Sequence, residues 1–327
     1  MKKSLVGVKK ALVVVVLGFF VLAPAFSGEL DDLKGAVKSF SGDLAKSLPF
    51  NASLGLNWSD AHIGQFLGLP PHFGVGVSMG FTTMKFDSFN DLMKLFGPAI
   101  PDALNWGGVP SPNYTVEGRI GGFILPFDVG FKVGYLPPID ISNTSINSLL
   151  LGGDIRYAIF KKGALLPLSV GVGVNYMSGG LSQKIDQAPS FNYEYDGNSY
   201  TLSVTDPTVG FVWETFSLDF KAQISGSFLI ITPYLGLGAS HAWSKAGYEV
   251  KAPVNIIGGP AGLESAKDYI DDISDKGFSS IEEVTGWSCR VFGGASFNLA
   301  VIRLDFTGLY NFFDGAYGVS FGARFQL

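Results

Sequence analysis

The feature that most constrains the fold is a two-residue alternation of apolar and small or polar side chains, repeated about ten times. In residues 317–327 the odd positions are Tyr, Val, Phe, Ala, Phe and Leu, and the residues between them are Gly, Ser, Gly, Arg and Gln. A period of two predicts a strand with one apolar face. Glycine is too frequent on the other face for a sheet in water. We therefore expect the large residues to face lipid and the small ones to face a crowded lumen.

Connection lengths support the same fold. Counted back from the C-terminal strand, short connections (residues 125–126, 161–163, 225–227 and 298–299) alternate with long ones (residues 85–113, 136–148, 178–207 and 244–285). Barrels in membranes have short periplasmic turns and long outer loops. The chain is thus predicted to be an all-β membrane protein, a closed antiparallel up-and-down transmembrane β-barrel of about ten strands. Twelve strands are the alternative.

This pattern resembles bacterial outer-membrane β-barrels, including small porin-like ones, whose last strand is aromatic-rich and serves as an assembly signal. Here Phe325 lies two positions before the final Leu327. The resemblance implies outer-membrane lipid and the barrel assembly machinery as partners, and a location in the bacterial outer membrane.

The N-terminal region is predicted to fall into two parts ahead of the barrel. Residues 1–27 combine early lysines, an apolar run and small residues, which predicts a secretory signal peptide cleaved after Ala25 or Ser27; a membrane anchor is the alternative. Residues 28–71 are predicted to contain an amphipathic helix over 29–47 and a short alternating strand over 50–58. They would act as a plug or a lid, and a loosely held surface helix is the alternative. The barrel domain is predicted to cover residues 72–327.

Charged residues fall on the lumen side of the predicted strands. They are Glu117, Asp128, Asp154, Asp219 and Asp305, against Arg119, Lys132, Arg156, Lys221, Arg290, Arg303 and Arg324. If Phe297 pairs with Ala300 and Tyr310 with Tyr317, then Arg303 faces Arg324. Asp305 then lies diagonal to both Arg324 and Arg290, so three guanidiniums share one carboxylate. The cluster could bind an anionic ligand in bidentate fashion, or it could be a set of structural ion pairs. Asp219, placed opposite Tyr234, has the same two interpretations.

Other chemistry finds little support in the sequence. His62, His72 and His241 lie in no Ser or Asp constellation, and neither a metal-ligand spacing nor a phosphate-binding Gly loop is present. We therefore expect no enzyme and no cofactor. The net charge of −5 argues against nucleic acid, and Cys289, the single cysteine, forms no intramolecular disulfide.

The outer loops suggest a ligand. Residues 86–96 are short and amphipathic, and residues 261–274 form a candidate acidic helix. An apolar loop helix together with an N-terminal hatch resembles the plan of the long-chain fatty-acid transporter family, which implies a small or hydrophobic ligand. The predicted function is a narrow channel or ligand-binding transporter, with a structural or adhesive surface barrel as the alternative.

Overall fold

The computed structural model describes residues 27–60, 63, 72–85, 109–121, 126–141, 144–160, 167–184, 190–195, 198–204, 208–251, 254–258 and 278–327. These residues form one helix and thirteen strands. The elements are α1 Ser27–Ala52, β1 His72–Met84, β2 Val109–Gly121, β3 Phe127–Ile141, β4 Thr144–Phe160, β5 Leu168–Lys184, β6 Ser190–Tyr195, β7 Asn198–Val204, β8 Thr208–Ser225, β9 Ile231–Lys251, β10 Val254–Gly258, β11 Phe278–Leu299, β12 Ile302–Asn311 and β13 Tyr317–Gln326.

Ten of the strands close into an antiparallel barrel, in the order β1-β13-β12-β11-β9-β8-β5-β4-β3-β2. The first and last strands meet along nine residue pairs, from Gly74 with Gln326 to Thr82 with Gly318. The prediction of about ten strands is confirmed, and the alternative of twelve is wrong. The three short strands β6, β7 and β10 form a separate sheet.

The outer face of the barrel is apolar, as the alternation predicts. Val170 is 40% exposed and Leu237 is 59% exposed, while Gly171 and Gly238 lie on the inner face, beside the side chains of Arg156 and Arg290. Aromatic side chains are exposed toward both ends of this surface. At the end with the short connections they are Phe73, Phe127, Tyr157, Phe297 and Phe325, and at the other end they are Tyr135, Trp243, Trp287, Tyr310 and Phe312. An apolar band between aromatic girdles is the surface of a membrane barrel.

Several strands are longer than the alternation predicts. The expected connection at residues 136–148 is mostly strand, because β3 runs to Ile141 and pairs there with Thr144 at the start of β4. β9 has 21 residues and β11 has 22, whereas about 9–11 residues cross a bilayer. The barrel wall therefore continues beyond the membrane at the end with the long connections, which we call the loop end. The opposite end is the turn end.

Helix α1 runs to Ala52, and residues 53–60 follow it without regular structure. The predicted strand over residues 50–58 is thus wrong. The alternation led to a wrong prediction of a strand because the barrel encloses these residues on all sides. Every residue from 47 to 59 is buried. No helix among the described residues is long and apolar enough to cross a membrane. Of the predicted signal peptide, residues 1–27, only Ser27 is among the described residues, and the loop segments 86–96 and 261–274 lie outside them.

Candidate functional site: the plugged lumen

The N-terminal segment passes through the barrel lengthwise. Near the loop end, Phe40 of α1 makes an edge contact with Phe211, the fourth residue of β8, at 5.4 Å between ring centroids. Near the turn end, Asp60 contacts Arg303, the second residue of β12. We call residues 27–60 the plug. Of the alternatives from sequence, the position inside the lumen is that of a plug and not of a lid or a surface helix.

Apolar contacts hold the plug in the loop-end half of the lumen. Leu44, Ala45 and Leu48 of α1 pack with Ala246 of β9, and three side chains of the surrounding wall cover this cluster; they are Met84, Trp213 and Val284. The helix is amphipathic in the sense predicted, since the apolar side faces the wall and Lys38 and Lys46 remain 65% exposed.

In the turn-end half, the barrel wall binds the main chain of the plug. Six buried side chains of the wall form hydrogen bonds with main-chain atoms of residues 52–63. Four of them donate to carbonyl oxygens: Lys132 Nζ to Ala52 O (2.7 Å) and to Leu54 O, Lys221 Nζ to Leu56 O (3.2 Å), Gln223 Nε2 to Trp58 O (2.8 Å) and Ser59 O (3.0 Å), and Arg156 to Asp60 O (2.7 Å). Two carboxylates accept from main-chain N–H groups: Glu117 Oε2 from Leu56 (2.9 Å) and Asp128 Oδ2 from Ile63 (3.0 Å). A buried irregular segment needs such partners for its peptide groups. The lumen charges therefore satisfy the plug backbone.

Trp58 is the side chain that anchors the irregular segment. Its Nε1 donates to Glu117 Oε2 at 2.6 Å, and its ring lies 4.6 Å from the guanidinium carbon of Arg324 and 5.7 Å from that of Arg119. The ring also fills the space over Gly74, where an added Cβ would lie 2.7 Å from it. The indole thus combines a charge-assisted hydrogen bond with two cation–π contacts.

A tight bend precedes Trp58. Gly55 has φ of +81° and Leu56 has φ of +58°, a conformation that favours glycine. A Cβ on Gly55 would also lie 2.9 Å from Glu117 Oε1 and 3.0 Å from Lys132 Cδ. Glycine at position 55 lets the plug backbone approach the two charged side chains that bind it.

Asp60 lies between two arginines at the turn end. Its carboxylate accepts hydrogen bonds from Arg303 (2.6 Å) and Arg324 (3.0 Å), and Arg324 also pairs with Asp305 at 3.2 Å. Asp60 belongs to the plug and not to a membrane-spanning strand. Burial alone would raise the pKa of Asp60, but Arg324 and Arg303 outweigh it and hold the pKa below its ordinary value of 3.8.

The predicted arginine cluster is therefore correct in part. Arg303 does face Arg324, and Tyr310 does face Tyr317, so Arg303, Arg324 and Asp305 lie together. Arg290 does not belong to this group. Phe297 of β11 pairs with Leu304 of β12 and not with Ala300. The register between these two strands therefore differs from the predicted one by four residues, and Arg290 lies farther toward the loop end.

Arg290 instead forms a bidentate pair with Asp219, with both N–O distances 2.8 Å. Ser240 is the residue opposite Asp219 and donates to its carboxylate at 2.7 Å. The predicted placement of Asp219 opposite Tyr234 is wrong, because Tyr234 faces Ser225. Tyr234 lies nearer the turn end, in an apolar cluster with Phe50 and Leu54 of the plug.

Five more of the predicted lumen residues form a third group of ion pairs, while Glu117 and Lys132 bind the plug. Asp128 takes two hydrogen bonds from Arg156, at 2.9 and 2.8 Å, and pairs with Arg119. Arg119 also contacts Asp154 at 2.7 Å, and Lys221 closes the group by pairing with Asp154. All five side chains are buried. The inward orientation of the predicted charged residues is confirmed; a role in ligand binding stays a prediction.

Sequence reasoning missed Asp60, although a clue to it was present. The inward positions of the strands carry seven cations and five carboxylates. A buried excess of positive charge requires an acidic partner from elsewhere. Asp60 is that partner, on the segment that enters the lumen.

Little free space remains around the irregular part of the plug. The cavities that border residues 53–58 among the described residues measure ≈ 20 Å³ and ≈ 10 Å³, about the room needed for one water each. The described groups also include no cluster of three or more His, Cys, Asp or Glu side chains placed to hold a metal. His241 lies on the outer face between Trp243 and Trp287, at 4.7 and 4.9 Å between ring centroids.

Comparisons with known proteins bear on the fold alone. No protein-family model matches the chain, and no curated protein sequence matches it. Among solved structures, similar barrels include the outer membrane protease OmpT from Escherichia coli (10% identity, 79% of this chain and 99% of that one, TM-score 0.40), a major outer membrane protein from Thermus thermophilus (11%, 79% and 100%, 0.33) and the translocator domain of the autotransporter NalP from Neisseria meningitidis (11%, 90% and 97%, 0.32). These similarities assign no residue of this chain a role. The chain has the fold of a bacterial outer-membrane β-barrel.

Proposed function

We propose that the protein is a gated outer-membrane channel for small solutes, and that the plug is its gate. The observation that carries the proposal is the way the lumen is filled. The wall has the charged lining of an aqueous conduit, yet in the turn-end half its charges bind residues 52–60 of the same chain, and the cavities that border residues 53–58 among the described residues hold about one water each. Conduction then requires the plug to shift.

The predicted anion site supports the gate proposal, although the anion that it holds is a group of the protein itself. Arg303 and Arg324 hold a carboxylate, as a site for an anionic ligand would, but the carboxylate belongs to Asp60. An anionic or acidic solute that competes with Asp60 for these arginines would weaken the closed state. The proposal includes no catalytic step, and export depends on the signal peptide expected in residues 1–27.

A reversible cross-link between plug and wall tests the gate. The hydroxyl oxygens of Ser59 and Ser296 are 2.5 Å apart, so the pair Ser59→Cys and Ser296→Cys, in a Cys289→Ser background, is placed to form a disulfide. In planar lipid bilayers the oxidised protein should be silent, and addition of a reductant should restore brief openings. The single variant Ser296→Cys, treated in the same way, is the matched control and should be indifferent to reductant.

A second variant covers the case in which openings are too rare to record. Trp58→Ala removes the anchor and leaves the buried Glu117 carboxylate without its indole donor, so the open fraction should rise. If both the reduced cross-link protein and Trp58→Ala stay silent while inserted in the bilayer, the gate proposal fails.

The second candidate function is a structural or surface barrel without transport. The observation that favours it is the length of β9 and β11, which carry the wall past the membrane and so build a raised surface at the loop end. Persistent silence of Trp58→Ala would support this candidate.

A further inference from the structure

We infer that the N-terminal end of the plug is exposed on the outside of the cell, so that a polypeptide segment joined before α1 is displayed there through the barrel. The inference concerns topology and goes beyond the gate. It rests on the path of the plug through the lumen and on which barrel end faces outward.

The contacts of the plug give it a single direction. Along the sequence it first touches residues near the loop end: Lys38 pairs with Glu282, near the start of β11, at 3.7 Å, and Ser47 contacts Lys85 O, just after β1, at 3.5 Å. It last touches residues near the turn end, where Asp60 meets Arg303 and Ile63 meets Asp128. The chain then enters β1 at His72, which is also at the turn end. The N-terminal end of the plug is therefore at the loop end.

The loop end is the outer end in barrels of this type, because their short turns lie in the periplasm. The connections support this orientation: three of the five loop-end connections are long (residues 85–108, 185–207 and 252–277), whereas the turn-end connections run from two residues (300–301) to seven (161–167). A plug that begins at the loop end thus begins outside.

The length of α1 carries its first turns out of the barrel mouth. Phe40 lies beside Phe211, three residues from the start of β8, so the wall rises at most about 10 Å above this contact. The helix continues for thirteen residues beyond Phe40, to Ser27, which is about 20 Å at 1.5 Å per residue. About 10 Å of helix therefore stands beyond the rim of β8.

Thiol labelling on intact cells tests this topology. Gly35 is exposed and a Cβ there would meet nothing within 4 Å, so Gly35→Cys in a Cys289→Ser background should fold normally. Ser227 is exposed in the turn between β8 and β9, and Ser227→Cys is the matched control. A membrane-impermeant maleimide should label Gly35→Cys on intact cells, and should label Ser227→Cys only after the outer membrane is permeabilised.

Two other results would overturn the inference. Labelling of Ser227→Cys but not Gly35→Cys on intact cells would mean that the barrel is inverted, and labelling of neither would mean that the N-terminal end is not outside. A peptide epitope inserted after Gly28 gives an independent readout, because an antibody should bind it on intact cells. These readouts do not depend on conductance, so they stand or fall separately from the gate.

Discussion

At the scale of single residues, the ion pairs of the lumen differ in how deeply they are buried. Arg290 and Asp219 have side chains 1% and 9% exposed, and they satisfy each other in two parallel hydrogen bonds. Arg303 is different. Its side chain is 17% exposed, and its partner Asp60 also pairs with a second arginine, Arg324. Loss of a partner should therefore cost much more at the first pair than at the second.

The first prediction follows from this contrast. Asp219→Asn leaves the Arg290 charge buried without a counter-charge and should lower the free energy of unfolding by about 3–5 kcal/mol. Arg303→Gln should cost only about 1 kcal/mol, because the pair is partly exposed and Asp60 still pairs with Arg324. Denaturant unfolding in detergent measures both. The double variant Asp219→Leu with Arg290→Met should recover most of the loss, and a double variant as unstable as Asp219→Asn would contradict the pairing argument.

At the scale of elements, the plug has two halves that are held in different ways. The helical half is held by apolar packing, which depends little on pH, whereas residues 53–60 are held by polar and charged contacts. The carboxylate of Asp60 is the titratable group of the plug that links pH to this second half. Its pKa lies below 3.8 in the folded protein. The resulting stabilisation is present above the unfolded pKa and is lost as the pH falls through the folded pKa.

The second prediction is that the irregular half of the plug loosens first in acid. Below about pH 4 the cleavage of residues 53–60 by pepsin should rise before the barrel unfolds. Asp60→Asn should already be cleaved faster at pH 5, and its cleavage should change less between pH 5 and pH 3. Equal pH dependence in the two proteins would show that Asp60 does not hold the plug. Mass spectrometry of the fragments gives the sites and rates.

At the scale of the whole molecule, only part of the apolar outer surface is expected to contact lipid, because the wall is taller than a membrane. Leu237 and Ile281 are equally exposed, at 59% and 60%. Leu237 is the seventh residue of β9 counted from its turn end, within the apolar band. Ile281 lies four residues into β11 from its loop end, beyond Trp287 and the girdle. Exposure alone does not distinguish these two sites, but depth does.

The third prediction uses this matched pair. Leu237→Arg should destabilise the barrel by about 2–4 kcal/mol, the cost of a charge near mid-depth in the bilayer, while Ile281→Arg should cost about 0–1 kcal/mol. Unfolding of the two variants from lipid vesicles checks the difference. Equal costs would place the membrane band higher on the wall than the girdles indicate.

The sequence predicted the barrel well because alternation and connection length are local signals. It identified the ten strands and the inward charges, and it placed Arg303 opposite Arg324. It could not identify the register between β11 and β12, because a shift of four residues returns every side chain to the same face. Nor could it show that residues 50–58 are enclosed. Alternation indicates one buried face only when the two faces of a segment meet different media, and both faces of this segment meet the interior of the barrel. The position of Asp60 depends on the tertiary path of the plug.

The closure of β1 onto β13 has a mechanical consequence. The ring that surrounds the plug is completed by the first and last strands of the barrel, so it closes only when the C-terminal strand is in place. Once the ring has closed, the plug passes through it. It can slide along the axis of the ring, but it leaves sideways only if two neighbouring strands separate, which at the seam between β1 and β13 would break nine pairs. The motion left to the gate is therefore movement along the barrel axis. Complete removal of the plug from the ring should be slow even when individual contacts exchange quickly.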